Sequence, residues 1–433
     1  MRQSKVLNKL MRGAGAALTI QIVSAVILYI SQILLARWMG TVDYGVYEYA
    51  IAVGLFWAFI AGFGLPTAVL RFISAYKAKE DWPHLQGMIW GSWWQTLLIG
   101  IVSSLGGTGI LLWLHSHNNL GDYRLPLTIG IWTIPIVALT SLQKEIIRAF
   151  QKIVLSYGPS LILQPLVLVT LAIMWQLRRP LTSTVAISLS LLSGLIVLIL
   201  QWLIFQRSLD RKIRQARPAY EITRWWKTAV PLMLFGGSFM ALNYTDTFMI
   251  GLFLDARQVG IYSAAMKTSS WVLFILVAVN AVSAPMIASL YAEGDDQGLQ
   301  QLVSTIARWM FYPALVTAMG LISFAGPVLH LFGPEFVAAR SVLIILIFGE
   351  LVNVGAGSVG YLMTMTGHQN QSVVVMAVAA LVNVILNWVG IQLLGIVGAA
   401  LATAFSMVLW NIWLYALVVR YLGVRPSIID AFQ

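Results

Sequence analysis

The chain is divided into twelve long apolar stretches by short breaks that contain charged residues, Asn or Pro/Gly clusters. A helix needs about 20 apolar residues to cross a bilayer, and each stretch is close to or above that length. The pattern therefore predicts an all-α, polytopic membrane protein with 12 transmembrane helices. The predicted spans are residues 14–36, 46–65, 88–114, 125–142, 157–176, 184–205, 228–254, 260–290, 306–330, 341–364, 373–394 and 397–419.

Tyrosines and glycines recur at a fixed offset of 215 residues between the two halves of the chain. The matched positions are Tyr29, Gly45, Tyr47 and Tyr76 in the first half, and Tyr244, Gly260, Tyr262 and Tyr291 in the second. Six predicted spans separate the copies, and because six is even both copies enter the membrane in the same sense. The sequence thus predicts a parallel internal repeat of two six-helix lobes, residues 1–206 and 228–433. The basic segment 207–227 is expected to be a solvated cytoplasmic linker that contacts lipid headgroups.

Composition and charge agree with a membrane location. Hydrophobic residues make up 59% of the chain and charged residues 10%, and the net charge is +11. Most Lys and Arg residues fall in the breaks on the side of the N-terminus, so the positive-inside rule places both termini in the cytoplasm. These cations set topology and touch anionic headgroups, and no nucleic-acid partner is needed to explain them. The absence of cysteine excludes disulfides and thiol chemistry.

Four short motifs at span boundaries resemble a known family. They are WMGTVDYGVY at 38–47, DARQVGIYSAAMK at 255–267, LFGPEFVAAR at 331–340 and IQLLGIVGAALA at 391–402. Together they are similar to the oligosaccharide and polysaccharide flippases of the multidrug/oligosaccharidyl-lipid/polysaccharide exporter superfamily. The resemblance implies two lobes around a central cavity that opens alternately to either side.

The same resemblance implies a function and a set of partners. The substrate would be a polyprenyl-pyrophosphate-linked oligosaccharide that is moved across the bacterial plasma membrane for polysaccharide biosynthesis. Membrane lipids are the other implied partners, while a coupling cation and further polysaccharide-assembly proteins stay open. No cofactor is expected.

Ionisable groups inside spans are the main candidates for a site, because a charge at the centre of a membrane helix is costly and normally faces a partner or a wet cavity. Asp246, Lys267 and Glu350 qualify. Counted from a turn centred near Arg257, Asp246 and Lys267 lie at similar depth on adjacent helices. They would either form a structural ion pair, or Lys267 would attract the pyrophosphate of the substrate.

Helical spacing surrounds these charges with polar residues that suit a hydrated lumen. Asn243 accompanies Asp246, Ser263 and Ser270 accompany Lys267, and the face of Glu350 contains Asn353, Gly357 and Tyr361. In the first lobe, Gln21 and Gln32 form a milder polar stripe. Interhelical hydrogen bonding explains the uncharged members equally well. Glu48 and Arg37 are expected near the outer interface, where long side chains can snorkel.

Motifs for catalysis are absent from the sequence, including a Walker phosphate loop, a His-Glu-x-x-His pair and a Gly-x-Ser-x-Gly elbow. The chain is therefore predicted not to be an enzyme. Two rivals remain. One is a cation-coupled multidrug antiporter of the same superfamily, which would need a carboxylate site for sodium or protons. The other is a membrane polysaccharide polymerase or glycosyltransferase, which would want acidic residues on a substantial outer loop.

Overall fold

The computed structural model describes residues 2–117 and 121–430, and regular structure in this part of the chain is helical. The α-helices are α1 (Arg2–Gly62), α2 (Leu65–Ala78), α3 (Trp82–His117), α4 (Arg124–Ile131), α5 (Thr133–Ala149), α6 (Ile153–Gly158), α7 (Gln164–Gln176), α8 (Ser183–Arg207), α9 (Arg211–Gln215), α10 (Ile222–Phe253), α11 (Ala256–Glu293), α12 (Asp296–Ser323), α13 (Ala325–His330), α14 (Arg340–Gly355), α15 (Val359–Met365), α16 (Gln369–Leu394) and α17 (Ile396–Leu422). The prediction of an all-α, two-lobe protein with 12 membrane helices is confirmed.

Ten helical segments of the described residues are long and apolar enough to cross a membrane; the first of them contains two of the twelve predicted spans, and the seventh predicted span lies in α10, which is not among the ten. The first of them, Thr19–Gly62, has 44 residues, more than twice what one crossing needs. It divides at Gly40, where φ is 75° and ψ is 179°. Such a φ favours glycine, which has no Cβ to clash with the backbone. The chain therefore passes from the first span to the second at one residue, and most of the predicted break at 37–45 is helical.

Several predicted spans are interrupted. The span predicted at 341–364 is split into α14 and α15, and the span predicted at 157–176 contains α6, a π-helical turn at Pro159–Leu163 and α7. Pro159 lacks the backbone N–H that a regular α-helix would use there. Between the second and third spans, α2 forms an additional helix whose apolar face is buried. The hydrophobic pattern of the sequence gives the length of each apolar stretch, but it does not show where a helix is interrupted within that stretch.

The chain folds as two compact units, Met1–Gly237 and Ser238–Gln433. In the first unit α5 packs against α1, α2, α3 and α8. In the second unit α11 and α17 both pack on α14, and α16 packs along α17. The division falls inside α10, whereas the sequence-based boundaries at 206 and 228 stay a prediction.

The basic linker 207–227 is attached to the first unit. Ile213 and Trp225 are buried, and the Ala219 N–H donates to the Pro83 carbonyl over 3.0 Å. The Tyr76 hydroxyl donates to Glu221 over 2.6 Å, and the Trp225 indole donates to Tyr76 over 3.2 Å. The expectation of a solvated connector therefore holds only for its charged side chains, since its apolar residues join the core of the first unit.

Candidate functional site

Asp246 on α10 lies inside the second unit with 2% of its surface exposed. Its Oδ2 accepts hydrogen bonds from the Tyr262 hydroxyl over 2.5 Å and from the Thr403 hydroxyl over 2.6 Å. Its Oδ1 accepts one from the Asn387 amide over 2.8 Å. The three donors come from α11, α17 and α16, so one carboxylate connects four helices. Each donor is neutral, and a buried carboxylate needs such hydrogen bonds to offset its desolvation.

Two asparagines extend this cluster along one face of α16. Asn387 also donates to the backbone and side-chain oxygens of Asn383, over 3.1 and 3.2 Å, and the Asn383 amide donates to Thr403 over 3.3 Å. The Asn387 Oδ1 atom is buried and accepts no hydrogen bond from the residues that the structure describes. A buried acceptor without a donor is costly. This acceptor, in a cluster with the Asp246 carboxylate, marks a place suited to a cation or a proton donor.

Lys267 is half-buried on α11 and is not one of the three groups that donate to Asp246. The turn between α10 and α11 falls at Leu254 and Asp255, because the Asp255 carboxylate caps α11 by accepting from the Gln258 N–H over 2.8 Å. Asp246 is therefore level with Tyr262, and Lys267 lies more than one turn further along α11. The sequence-based expectation that Asp246 and Lys267 lie at similar depth is wrong, because it placed the turn between the two helices at Arg257.

The polar residues beside Lys267 range from buried to exposed. Ser263 is buried, whereas Ser270 is exposed and donates to the Lys267 carbonyl over 2.8 Å. Five residues separate Tyr262 from Lys267, which turns the lysine by about 140° around the helix from the face that meets Asp246. Asn243, one turn before Asp246 on α10, is exposed. Lys267 and Asn243 thus stand apart from the buried carboxylate cluster.

Glu350 belongs to a second polar cluster in the same unit. It is 5% exposed, and its Oε2 accepts from the Asn353 amide over a long 3.4 Å. The Asn353 oxygen accepts in turn from the Asn411 amide of α17 over 3.0 Å. The predicted continuation of this face through Gly357 to Tyr361 is wrong, because the helix ends at Gly355 and α15 begins a new one.

The first unit contains the remaining candidates. Gln21 is half-buried and its Oε1 has no hydrogen-bond donor among the described residues, while Gln32 accepts from the Tyr44 hydroxyl over 2.9 Å. Glu48 is 8% exposed, so the expectation that it snorkels at the interface is wrong. Its neighbours Tyr44 and Tyr47 are buried with it.

Sequence reasoning missed the residues that hold Asp246. A search limited to ionisable groups passes over Tyr262, Asn383, Asn387 and Thr403. The available signal was the pair Asn383 and Asn387, which stands four residues apart in an otherwise apolar span and so presents two amides on one helix face.

The fold defines a class of protein, the polytopic membrane proteins built from two six-helix lobes. Solved structures of this class match nearly the whole chain. A multidrug resistance MATE transporter in an inward-facing conformation is similar at a TM-score of 0.73 and 14% identity, with 95% of this chain and 98% of that chain covered. The lipid II flippase MurJ in an inward closed conformation is similar at 0.72 and 16% identity, with 96% and 91% covered.

Sequence profiles narrow the class to a family. The profile of the polysaccharide biosynthesis protein family matches residues 10–291, and the MatE profile matches residues 231–389. The chain therefore belongs to the polysaccharide biosynthesis protein family, within the multidrug/oligosaccharidyl-lipid/polysaccharide exporter superfamily.

Relatives with flippase names match part of the chain. Agl15 of Haloferax volcanii, a "probable low-salt glycan biosynthesis flippase", is 26% identical over 51% of this chain and 46% of its own length. The "probable flippase" AglR of the same organism is 27% identical over 40% of this chain and 37% of its own length. The chain thus spans less than half of these two relatives. A membrane protein of Methanocaldococcus jannaschii is 23% identical over 94% of this chain and 84% of its own length.

Proposed function

We propose that this transporter moves a polyprenyl-pyrophosphate-linked oligosaccharide across the bacterial plasma membrane by alternating access of its two lobes, with both termini in the cytoplasm. The observation that carries the proposal is Lys267, a half-buried cation within membrane-spanning α11. An ionisable residue within a membrane span is a candidate functional residue, because a charge there is normally turned toward a partner or a wet cavity. The flippase names of the relatives support an anionic, lipid-linked glycan as the substrate that Lys267 attracts.

The chemistry of lysine suits transport of a pyrophosphate. An ammonium on a flexible stem attracts phosphate as a point charge, and it releases phosphate more readily than the bidentate fork of arginine does. A carrier needs both properties, since tight binding in one state would trap the cycle. Ser270, one turn after Lys267, and Asn243 on α10 are exposed, and they would offer hydrogen bonds to the glycan. Gln21, Gln32 and Asn353 are weaker candidates for the same role.

The Asp246 cluster has a different role in this proposal, which is to bind a coupling cation. Its oxygens are those of Asp246, Asn383, Asn387 and Thr403, and hard monovalent cations and protons bind such oxygens. The buried Asn387 Oδ1 without a donor supports this assignment. Cation binding would free Asp246 from its hydrogen bonds to α16 and α17 and so bias one conformation over the other. Glu350 is a second candidate for the carboxylate that binds the coupling cation.

The buried carboxylate also favours the rival function, a cation-coupled multidrug antiporter, and the MatE profile covers that part of the chain. The two functions differ at Lys267, because a cationic drug would be repelled by the ammonium that a pyrophosphate attracts. A polymerase or glycosyltransferase is disfavoured, because the buried Asp246 carboxylate already accepts hydrogen bonds from α11, α16 and α17. Transport of a cationic dye but not of a lipid-linked glycan by the purified protein would establish the antiporter.

The test is a flipping assay in proteoliposomes with a fluorescent lipid-linked oligosaccharide. We expect Lys267→Ala to abolish flipping while the melting temperature stays near that of the parent, because Asp246 keeps its three donors. Lys267→Arg should retain partial activity, since the charge survives. Lys79→Ala, which removes an exposed lysine after α2, is the matched control and should flip at the parental rate.

A charge-free variant can contradict the proposed contact of Lys267 with the substrate. If the lysine only offsets Asp246, the combination of Asp246→Asn with Lys267→Met would restore both folding and flipping. Full flipping by this double variant would contradict the proposed contact with pyrophosphate.

A further inference from the structure

The described residues that follow α17, 423–430, form an irregular segment that we call the C-terminal strap. The Ile428 N–H donates to the Gly355 carbonyl over 2.9 Å, at the end of α14. The Gln300 side chain on α12 accepts from the Arg425 N–H over 2.8 Å and donates to the Arg425 carbonyl over 3.1 Å. The strap is thus bound to two helices of the second unit.

The break after α14 is shaped to receive the strap. Gly357 has a φ of 81°, and a Cβ added there would clash with the Pro426 carbonyl. Val424 and Ile428 of the strap are buried. The strap is therefore a fixed wall of the second unit.

Between this wall and helices α12, α14 and α17 lies a cavity of about 560 Å³. This volume falls within the range of roughly 300–1,000 Å³ that is usual for small-molecule sites. The lining is mainly apolar and includes Phe311, Phe348, Leu351, Val352, Ile412 and Ile428. Phe348 is 58% exposed and Ile412 is 62% exposed, so the cavity opens to the surroundings of a membrane-spanning unit. Such a space fits the hydrocarbon chain of a lipid.

One end of the cavity is charged. Asp430 lines it, and its Oδ2 accepts from the Tyr415 hydroxyl over 2.7 Å and from the Ser427 hydroxyl over 2.5 Å. Its Oδ1 accepts no hydrogen bond from the residues that the structure describes, and no Lys or Arg nitrogen of that part of the chain lies within 4.0 Å of the carboxylate. Arg425, five residues before Asp430 in the strap, is exposed. This end therefore offers an available carboxylate oxygen on the segment that also contains an exposed cation.

We propose that the cavity binds a phospholipid with an ammonium headgroup, such as phosphatidylethanolamine. The ammonium would contact the Oδ1 of Asp430, the phosphate would face Arg425, and one acyl chain would fill the apolar cavity. The charge pattern selects this occupant over the substrate of the proposed function, because a polyprenyl pyrophosphate carries only negative charge and Asp430 repels it. Asn411, which donates to Asn353 beside Glu350, also lines the cavity, so the lipid would pack against that buried cluster.

Native mass spectrometry of protein taken from vesicles with equal amounts of phosphatidylethanolamine and phosphatidylglycerol tests the proposal. We expect the parent to retain one phosphatidylethanolamine. Val352→Trp fills the cavity and should reduce retention roughly tenfold, whereas Val374→Trp, at an exposed valine of α16 outside the cavity, should not. Asp430→Asn should lower the preference for phosphatidylethanolamine over phosphatidylglycerol roughly tenfold, and Asp296→Asn, at an exposed acid, should leave it unchanged.

Two results would overturn the proposal. One is equal retention of phosphatidylethanolamine by the Val352→Trp and Val374→Trp variants, which would place the lipid elsewhere. The other is retention of phosphatidylglycerol or of polyprenyl phosphate in place of phosphatidylethanolamine by the parent. The Val352→Trp comparison does not depend on the strap, so it decides the matter even where Asp430→Asn fails to fold.

Discussion

Tyr47 and Tyr262 occupy equivalent positions in the two lobes, yet their hydroxyls have different partners. In the first lobe the Tyr47 hydroxyl lies 3.2 Å from the Ser190 hydroxyl on α8. In the second lobe the Tyr262 hydroxyl donates to Asp246 over 2.5 Å. The offset of the repeat places Ser31 where the second lobe has Asp246, and the Ser31 hydroxyl donates to its own helix at the Ile27 carbonyl. The tyrosine at this position of the repeat therefore contacts a neutral hydroxyl in the first lobe and a carboxylate in the second.

The first lobe has a buried acid too, but at a different point of the repeat. Glu48 directly follows Tyr47, and the offset matches it with Ser263 of the second lobe. The acids of the two lobes therefore lie on different helices although the helices correspond. The difference indicates that the repeat supplies a common frame of helices, while the positions of the buried acids differ between the lobes.

The comparison of the two lobes would fail entirely if they did not form a parallel repeat. Reporters fused near Val42 and Arg257, which the offset makes equivalent, should emerge on the same, outer side of the membrane. Reporters near Lys79, Lys152 or Arg214 should stay cytoplasmic. Asn118, also expected outside, lies beyond the described residues. A cytoplasmic Arg257 would mean that an even number of spans precedes it instead of the predicted seven, and the match of Tyr47 with Tyr262 would then be accidental.

The next largest effect is expected from making the second lobe resemble the first. Asp246→Ser replaces the carboxylate with the residue found at position 31, and we expect cation-dependent flipping to fall about 10- to 100-fold because a cation ligand is lost. Flipping rates in proteoliposomes under sodium and proton gradients measure this. Ser31→Ala is the matched control, since it removes only a hydroxyl bonded within its own helix. Unchanged cation dependence in Asp246→Ser would exclude the cluster as a coupling site.

The architecture of both lobes follows from the sequence more directly than the contacts inside them. Apolar length and the positions of Gly and Pro determine where helices can cross a membrane, so the spans are readable from one chain. Contacts such as Tyr262 to Asp246 depend on how far around each helix a side chain points, and that depends on where each turn begins. Placing the turn at Arg257 in place of Leu254 and Asp255 was enough to pair Asp246 with the wrong residue.

The candidate residues illustrate the same limit. The cost of burying charge drew attention to Asp246 and Glu350, which are both buried, while their role as site residues stays a prediction. Their partners are neutral amides and hydroxyls, and these residues are too common in membrane helices to stand out. The strap after α17 has no periodic signal at all, because its position is set by backbone hydrogen bonds to Gly355 and Gln300.

The two tyrosines also differ in what they should contribute to stability. Tyr262→Phe removes one of the two donors to the Asp246 Oδ2, and a hydrogen bond to a charged group contributes about 1.5–3 kcal/mol. Tyr47→Phe removes a hydroxyl–hydroxyl contact, for which about 0.5–1.5 kcal/mol is expected. Thermal unfolding of the two purified variants measures the difference, each serving as the control for the other. Equal losses would argue that Asp246 is protonated and that the lobes are less different than their side chains suggest.

The smallest effect concerns a third pair of the repeat, Tyr76 and Tyr291. Tyr76 donates to Glu221 of the linker, whereas Tyr291 in the second lobe is 41% exposed. Burial, followed by the bond to Glu221, raises the pKa of Tyr76 to about 12. The bond from Tyr76, helped by Arg224, lowers the pKa of Glu221 below its ordinary 4.5. The bond from Tyr76 to Glu221 is therefore one part of the attachment of the linker to the first lobe, and the ionised form of Glu221 contributes to it.

A lowered pKa fixes the sign of the pH dependence. The stability that ionised Glu221 contributes is fully present above its ordinary pKa of 4.5, and it is lost as the pH falls through the lower pKa of the folded protein. Glu221→Gln should therefore lower the melting temperature slightly near neutral pH. The loss in the free energy of unfolding should be less than about 1 kcal/mol because the group is partly solvated, and the variant should lose part of the slope of stability against pH on the acid side. Glu293→Gln, near Tyr291 in the second lobe, should keep the parental slope. Melting curves from neutral to acidic pH measure both variants, and an identical slope in Glu221→Gln and the parent would show that the linker is held by its apolar residues alone.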